Sequence, residues 1–310
     1  MPGRPFPGDP DRYPSRDEVA DYLERYAAAL PVEIHTNTRV ATVRREDREF
    51  VVVTDEGSEF PAAGIVAASG SFSNPHVPTF PGQTSFTGRL LHVAEYRNPL
   101  PYTGMRVIVV GAGDSAAQVA NELAALADVT LAVRHPLRFI PQRIDGKDVH
   151  YWLRETGFDS VPAAWLSKIS EGSLITDSVG FQQTLADGLL DVRPMFIALD
   201  RDEVVWSEHE REHIDAIILA TGYRPSLDYL RELGALDPSG RPLHVGGISI
   251  THLGLVYVGL ENQRSFASNT LRGVSADADA VVAPLVAWIR DAPAAVGVTE
   301  LEPAPLTLVN

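Results

Sequence analysis

The sequence predicts an α/β fold, and three observations lead to this prediction. An entirely apolar strand, Val107–Val110, is followed by a glycine turn, a helix and a second apolar strand, Val129–Val133. This alternation is typical of a parallel sheet with helices on its faces. An amphipathic helix and several short strands precede this segment. The length of 310 residues corresponds to about two domains, at roughly 100–200 residues per domain.

The composition narrows the classes of partner and site. The chain has 26 Lys and Arg against 41 Asp and Glu, so its formal net charge is −15. This charge opposes binding to nucleic acid or to an anionic membrane, and we expect neither partner. There is no cysteine, which leaves no means for disulfides, thiolate metal sites or dithiol redox chemistry. The histidines have no metal-ligand spacing, so we expect no metal.

The same sequence predicts a cytoplasmic protein. No apolar run approaches the roughly 20 residues of a membrane span. The first 15 residues contain no signal-peptide core.

The elements before the glycine turn are a helix and a set of short strands. Ser15 and Glu18 form an S-x-x-E capping box, which predicts a helix over residues 15–30 that ends before Pro31. Residues 70–104 are rich in Gly and Pro, which predicts a linker rather than a core element. The strands predicted between helix and linker are Val32–Thr36, Arg39–Arg45, Phe50–Asp55 and Ile65–Ala68.

The elements after the glycine turn begin with a helix from Ser115 to about Ala127. A further helix is predicted over residues 276–290, with Pro284 at its start or at a kink. The later strands are predicted at Val204–Trp206, Ile214–Leu219 and Gly254–Gly259.

The glycine turn carries a dinucleotide fingerprint, Gly111-x-Gly113-x-x-Ala116, between an apolar strand and a helix. Gly111 permits the tight turn, Gly113 lets the backbone approach a pyrophosphate, and the small Ala116 lets the helix pack on the strand. Ser115 and the free amides at the helix start are expected to hold the phosphates. Asp114 favours the helix start but repels phosphate, so we expect its side chain to point away. The alternative is a tight turn with a purely structural role.

The residue after the second strand distinguishes NADPH from NADH. An NAD site usually offers a carboxylate to the ribose at this point, but here the chain has Arg134, with Arg138 close by. A guanidinium pairs with a 2′-phosphate through two hydrogen bonds. The sequence therefore favours NADPH. The alternative is that Arg134 is a solvated residue at a strand end.

A second motif, Phe86-x-Gly88-x-x-x-His92-x-x-x-Tyr96, lies before the glycine turn. It resembles the FxGxxxHxxx(W/Y/F) fingerprint of the flavin-containing monooxygenases and their Baeyer–Villiger relatives, which also lies before the NADPH-binding loop. The resemblance implies that His92 and Tyr96 organise the hinge between two domains and that this motif, with Gly88, contributes to the cofactor site.

Four further segments resemble the same family. Ala220-Thr221-Gly222-Tyr223 is similar to the segment in which the family's chain leaves its NADPH domain. Ala68-Ser69-Gly70 is similar to the first counterpart of that segment, with Ser in place of Thr. The segments Gly254–Leu260 and Thr270–Val274 resemble its last flavin-contacting strand and the approach to its last helix. The resemblance implies that Ser69, Gly70, Thr221 and Gly222 lie where the flavin and the two domains meet.

The resemblance implies a specific architecture, in which an NADPH domain is inserted into an FAD domain and both are Rossmann-like and three-layered. The expected bounds are residues 1–102 and 213–310 for the FAD-type domain and 103–212 for the NADPH domain. The family's opening strand–GxGxxG–helix is not in the sequence, so we expect an FAD domain that is incomplete at its N-terminus, with Met1 in the middle of a longer flavoprotein. FAD binding by the chain alone stays open, and the possible partners are a complementing FAD-binding segment and a homo-oligomer.

The resemblance also implies an activity. NADPH would reduce FAD, and the reduced flavin would activate O2 to oxygenate a small organic substrate. The sequence identifies no catalytic side chain. Two alternatives stay open, namely a flavoprotein reductase that does not oxygenate and an NADPH-binding remnant without catalysis.

Overall fold

The structure is a computed structural model that describes residues 1, 3–9, 11–169, 174–291 and 307–309. In this structure the chain divides into two units. The first unit consists of Met1–Gly70 and Pro225–Asn310, and the second is the continuous segment Ser71–Arg224. The second unit thus interrupts the first in the sequence. The domain bounds expected at 103 and 212 both fall within the second unit and stay a prediction.

Short helices and strands follow one another along the described part of the chain. The α-helices are α1 (Arg16–Ala27), α2 (Asp114–Leu123), α3 (Val149–Glu155), α4 (Ala163–Ile169), α5 (Phe181–Ala186) and α6 (Val274–Asp291). The strands are β1 (Glu33–His35), β2 (Val40–Glu46), β3 (Glu49–Thr54), β4 (Glu59–Ala62), β5 (Ile65–Ala67), β6 (Arg89–His92), β7 (Arg106–Val110), β8 (Asp128–Val133), β9 (Arg138–Ile140), β10 (Arg143–Ile144), β11 (Lys147–Asp148), β12 (Leu174–Thr176), β13 (Asp191–Pro194), β14 (Ala198–Asp200), β15 (Glu203–Ser207), β16 (Glu210–His213), β17 (Ala216–Leu219), β18 (His244–Val245), β19 (Ile248–Ser249), β20 (Leu255–Tyr257) and β21 (Thr307–Val309).

The first unit is built on a four-stranded sheet in the order β18-β19-β20-β5, in which β20 and β5 are parallel. Val256 and Val258 pack on α6, whereas Leu255 and Tyr257 pack against the antiparallel meander β2-β3-β4. Alternate residues of β20 therefore face different layers, as the period of two in a strand requires. A parallel pair of β1 and β21 completes the described part of this unit.

Helix α1 begins with the capping box that the sequence predicts. The Ser15 side chain accepts from the Glu18 amide, and the Glu18 carboxylate accepts from the Ser15 amide over 2.8 Å. The helix ends at Ala27 rather than at residue 30.

The second unit is built on a five-stranded parallel sheet in the order β13-β8-β7-β17-β6. Val107 and Val109 face α2, while Ile108 and Val110 face the small antiparallel sheet β14-β15-β16. Both faces are covered, which explains why β7 reads as a continuous apolar run. The three layers confirm the predicted α/β, Rossmann-like class.

The segment predicted as a linker, residues 70–104, contributes a sheet strand, so that prediction was wrong. Arg89–His92 pairs in parallel with Ala216–Leu219 and forms the edge of the five-stranded sheet. The strand is only four residues long and lies among glycines and prolines, and its partner is more than 120 residues away in the chain. Local patterning therefore gave no signal for it.

Pro284 lies inside α6, which begins ten residues earlier, at Val274. The sequence had also allowed a helix start at this proline, and that alternative was wrong. None of the described helices is both long enough and apolar enough to cross a membrane.

Candidate dinucleotide-binding site

The predicted nucleotide residues gather at the carboxyl edge of the five-stranded sheet. Because its strands are parallel, the residues that end or follow β6, β7, β17 and β8 lie at this edge, namely His92, Gly111, Ala220 and Arg134. The chain continues from β7 through α2 to β8 on one side, whereas β17 lies on the other side of β7. The ends of β7 and β17 thus flank a topological switch point, where open parallel sheets bind ligands.

Gly111 lies where the chain after β7 has no room for a side chain. Its φ is 147°, and a Cβ placed on it would lie 2.5 Å from the carbonyl oxygen of Ala220 and 3.3 Å from the Cβ of Ala116. Only glycine at 111 and a small residue at 116 allow β17 and α2 to come this close to β7. The fingerprint spacing therefore has a packing basis in this fold.

The start of α2 faces the same edge. Gly113 is its N-cap, and no described side chain caps the helix. The Asp114 carboxylate accepts a hydrogen bond from the Thr176 amide over 2.7 Å, which directs it toward β12. Ser115 is exposed and Ala116 is buried. The amides of the first helical turn are positioned as an anion site requires.

The segment after β17 is fastened to the start of the second unit. Thr221 Oγ1 donates to the His76 carbonyl over 2.5 Å, and the His76 amide donates to the Gly222 carbonyl over 2.9 Å. Gly222 has a φ of 79°. The Arg224 amide adds a third bond, to Asn74. Thr221 and Gly222 are thus each hydrogen-bonded to His76 beside the switch point.

His92 is buried at the end of β6 and bonded on both ring nitrogens. Nδ1 accepts from the Ala94 amide over 3.1 Å, and Nε2 lies 3.0 Å from the Gly222 carbonyl oxygen. Since a carbonyl can only accept, the ring is the neutral tautomer with its proton on Nε2. Its ring also packs edge-on against Tyr223.

Gly88 and Tyr96 do not lie at the carboxyl edge. Gly88 precedes β6, and a Cβ there would lie 2.8 Å from the Asp215 carbonyl oxygen. Tyr96 stacks on Tyr102 and donates to the Glu122 carboxylate over 2.8 Å, near the end of α2. Burial, and then this bond, raises the pKa of Tyr96. Both residues fasten the segment around β6 to the rest of the unit.

Three basic residues lie at the same edge, and two of them were missed by the sequence reasoning. Arg134 is exposed after β8, and Arg224 Nη2 lies 3.3 Å from His76 Nε2. Burial, followed by the positive charges of Arg224 and Arg134, lowers the pKa of His76. Arg138 opens β9. The position of Arg224, two residues after Gly222, was a usable signal, whereas nothing local distinguished His76.

Ser69 and Gly70 follow β5 in the first unit. Ser69 Oγ donates to the Ser226 carbonyl over 2.5 Å and lies 3.2 Å from Tyr229 Oη. Burial raises the pKa of Tyr229. Gly70 has a φ of 66°, and its carbonyl accepts from the Ser226 amide. These two residues therefore shape the chain at the carboxyl end of β5.

The first unit offers one observation on whether a cofactor fits there. Asp277, near the start of α6, is 1% exposed, and its Oδ2 has no hydrogen-bond partner among the described residues. A buried carboxylate oxygen without a donor is costly. A ligand that donates a hydrogen bond at this place would satisfy it. For metals, no group of three or more His, Cys, Asp or Glu in the described residues could hold an ion.

Comparison with known proteins identifies the family. The model of the pyridine nucleotide-disulphide oxidoreductase family matches residues 5–165. An uncharacterized CzcO-like oxidoreductase of Geobacillus kaustophilus is 32% identical over 287 residues, covering 91% of this chain and 81% of the relative. The indole-3-pyruvate monooxygenase YUCCA4 of Oryza sativa is 27% identical, covering 94% of this chain and 75% of the relative.

A solved structure agrees with these relatives. The flavin-containing monooxygenase from Stenotrophomonas maltophilia is 27% identical, with a TM-score of 0.79, covering 93% of this chain and 82% of that one. The 310 residues contain no cysteine, so they have no dithiol for the disulfide chemistry after which the family is named. The chain belongs to the pyridine nucleotide-disulphide oxidoreductase family and is a flavin-monooxygenase-like oxidoreductase.

Proposed function

We propose that the chain is an NADPH-dependent flavoprotein monooxygenase that oxygenates a small organic substrate. The observation that carries the nucleotide-binding part of this proposal is the approach of the Ala220 carbonyl to Gly111 at the switch point, beside the uncapped start of α2. The S. maltophilia enzyme and YUCCA4, both monooxygenases by name, support the reaction class.

In this proposal the second unit binds NADPH. The amides at the start of α2 hold the pyrophosphate, with Gly113 allowing the close approach and Ser115 adding a hydroxyl. Arg134 pairs with the 2′-phosphate, and Arg138 adds positive charge nearby. Thr221 and Gly222 border the crevice. His92 positions Gly222, since both of its ring nitrogens are already bonded.

The first unit would hold FAD at the carboxyl ends of β5 and β20, through Ser69, Gly70 and the first turn of α6. When bound, FAD would supply hydride acceptance from NADPH and, once reduced, transfer of one oxygen atom of O2 to substrate and release of the other as water. We assign no acid or base to the chain. Its residues bind the two cofactors, orient them and keep their crevices closed to bulk water.

Two further points belong to the same proposal. The protein acts in the cytoplasm. The purified chain holds FAD itself, and a homo-oligomer or a complementing FAD-binding segment would add contacts to the flavin site.

The experiment that tests this function uses the purified chain with added FAD. We expect a bound yellow flavin that NADPH bleaches anaerobically. With isotopically labelled O2 and a panel of thioethers and ketones, we expect labelled product. NADPH consumption that yields hydrogen peroxide and no labelled product with any substrate would instead indicate a reductase. NADPH binding by a chain that takes up no flavin would indicate a binding protein and contradict the proposal.

A further inference from the structure

Asp277 lies beyond the carboxyl end of β20, and three packing contacts fix its place. A Cβ on Gly254, just before β20, would lie 2.9 Å from Trp288 Nε1. A Cβ on Gly247 would lie 2.8 Å both from the carbonyl oxygen of Tyr257, at the end of β20, and from Val281 Cγ1. Helix α6 therefore runs antiparallel to β20, and Asp277, one turn before Val281, reaches past the strand end.

Asp277 is on the inner face of α6, yet only half of its carboxylate is satisfied. The residue is 1% exposed, and Val281, four positions later, is fully buried. Oδ1 pairs with Arg264 Nη1 at 3.3 Å, whereas Oδ2 meets no donor among the described residues. The ion pair with Arg264, which joins the preceding loop to the helix, accounts for the burial of Oδ1. It does not account for the burial of Oδ2.

The other buried polar side chains of the preceding loop have partners. Ser268 Oγ accepts from the amides of Arg264 and Ser265, both at 3.0 Å. Gln263 donates to the Tyr257 carbonyl over 2.8 Å and accepts from the Leu260 amide over 3.3 Å. These two buried side chains of the loop thus find their hydrogen-bond partners within the described part of this unit. The donor missing at Asp277 therefore points to a ligand.

We propose that Asp277 Oδ2 accepts a hydrogen bond from the flavin end of FAD, from either a ribityl hydroxyl or the isoalloxazine N3–H. The inference rests on the proposed function, because it takes FAD to be the ligand at the carboxyl ends of β5 and β20. A carboxylate repels the diphosphate, so we propose the contact away from it, at the uncharged flavin end of the cofactor. Asp277 acts as a positioning residue for the ring system.

The test measures FAD affinity of the full chain by quenching of flavin fluorescence, for the wild type, Asp277→Asn and Asp279→Asn. Asparagine has a single acceptor oxygen, so it cannot accept hydrogen bonds at both carboxylate positions, one from Arg264 and one from the ligand. We expect Asp277→Asn to weaken FAD binding about tenfold to a hundredfold, the effect of one charge-assisted hydrogen bond. Asp279, exposed on the same helix, is the matched control, and Asp279→Asn should stay within about twofold.

Two additions guard against a folding artefact and separate the two donors. Asp277→Ser provides a smaller polar variant if the asparagine variant folds poorly, and NADPH affinity, which depends on the second unit, should be unchanged in both. FAD methylated at N3 identifies the donor. If the methyl group weakens binding to the wild type but not to Asp277→Asn, the donor is N3–H, and equal weakening in both assigns a ribityl hydroxyl.

The outcomes separate the inference from the function on which it rests. Wild-type affinity for FAD in Asp277→Asn and Asp277→Ser would overturn the inference and leave the monooxygenase proposal standing. Equal losses of FAD and NADPH affinity would also overturn it, since they indicate a general effect on folding. A wild-type chain that binds no flavin would overturn the proposed function itself.

Discussion

The ring of His92 donates a hydrogen bond from Nε2 to the carbonyl oxygen of Gly222, over 3.0 Å. This bond joins the ends of the neighbouring parallel strands β6 and β17. The Ala94 amide occupies the other ring nitrogen. A histidine used in this way is a positioning residue, because neither nitrogen is available to accept or give a proton without breaking a bond of the fold.

Two substitutions of His92 should separate its two bonds. Glutamine places an amide near the position of Nε2 and can still donate a hydrogen bond to the Gly222 carbonyl. Asparagine places its amide oxygen near the position of Nδ1, where it can accept from the Ala94 amide but cannot reach Gly222. We expect each variant to lose about 0.5–1.5 kcal/mol in free energy of unfolding, since each loses one hydrogen bond of the fold. NADPH affinity should be retained in His92→Gln and reduced in His92→Asn. Urea unfolding and NADPH fluorescence titration measure the two effects, and unchanged affinity in His92→Asn would contradict the positioning role.

Gly111→Ala should be far more damaging than an alanine at another glycine of positive φ. The new Cβ would lie 2.5 Å from the Ala220 carbonyl oxygen, so we expect about 2–4 kcal/mol of destabilisation from strain and overpacking, with loss of NADPH binding. Gly104, with a φ of 74° and open space around it, is the control. Gly104→Ala should cost only about 1–2 kcal/mol of backbone strain and keep NADPH affinity. Similar affinities in both variants would contradict the switch-point site.

The sequence was sufficient to predict the parts of this site that neighbouring residues determine. It was insufficient to predict the parts that depend on contacts between residues far apart in the chain. The strand, turn and helix around Gly111 follow from residues adjacent in the chain, as does the capping box of α1. The approach of Ala220 to Gly111 joins residues 109 positions apart, and β6 is a strand only because β17 lies beside it. His76 carries no local pattern, since its position depends on hydrogen bonds of its backbone to the Thr221 hydroxyl and the Gly222 carbonyl.

Arg134→Ala should reduce NADPH affinity much more than NADH affinity. A guanidinium beside the 2′-phosphate contributes about 1.5–3 kcal/mol per charge-assisted hydrogen bond, so we expect a loss of about tenfold to a hundredfold for NADPH. NADH lacks this phosphate and should change little. Arg154, exposed on α3, provides a control in Arg154→Ala. Equal losses for the two nucleotides would refute the role of Arg134.

His213 should stabilise the fold in a pH-dependent way. Its ring lies between Asp215 and Asp202, at 3.1 and 3.0 Å, and hydrogen bonds to these carboxylates raise its pKa above 6.5. A raised pKa in the folded state adds stability that is complete below the unfolded value and disappears as pH rises through the folded value. The free energy of unfolding of the wild type should therefore exceed that of His213→Gln at about pH 6 and approach it at about pH 9. A difference that does not change with pH would contradict this.

His76 should couple NADPH binding to protons. Burial, and then the positive charges of Arg224 and Arg134, hold the pKa of its imidazole below 6.5. A 2′-phosphate bound beside Arg134 would offset these charges and raise that pKa. By linkage, the ligand that raises the pKa binds more tightly when the ring is protonated.

The measurement is the ratio of wild-type to His76→Asn affinity for NADPH. We expect it to increase as pH falls from about 8 to about 6, while the same ratio for NADH stays flat. Protonation of the phosphate, whose second pKa is about 6, weakens binding at low pH in both chains and cancels in the ratio. A flat ratio for NADPH would mean that the 2′-phosphate lies too far from His76 to change its charge, which would contradict the placement of that phosphate beside Arg134.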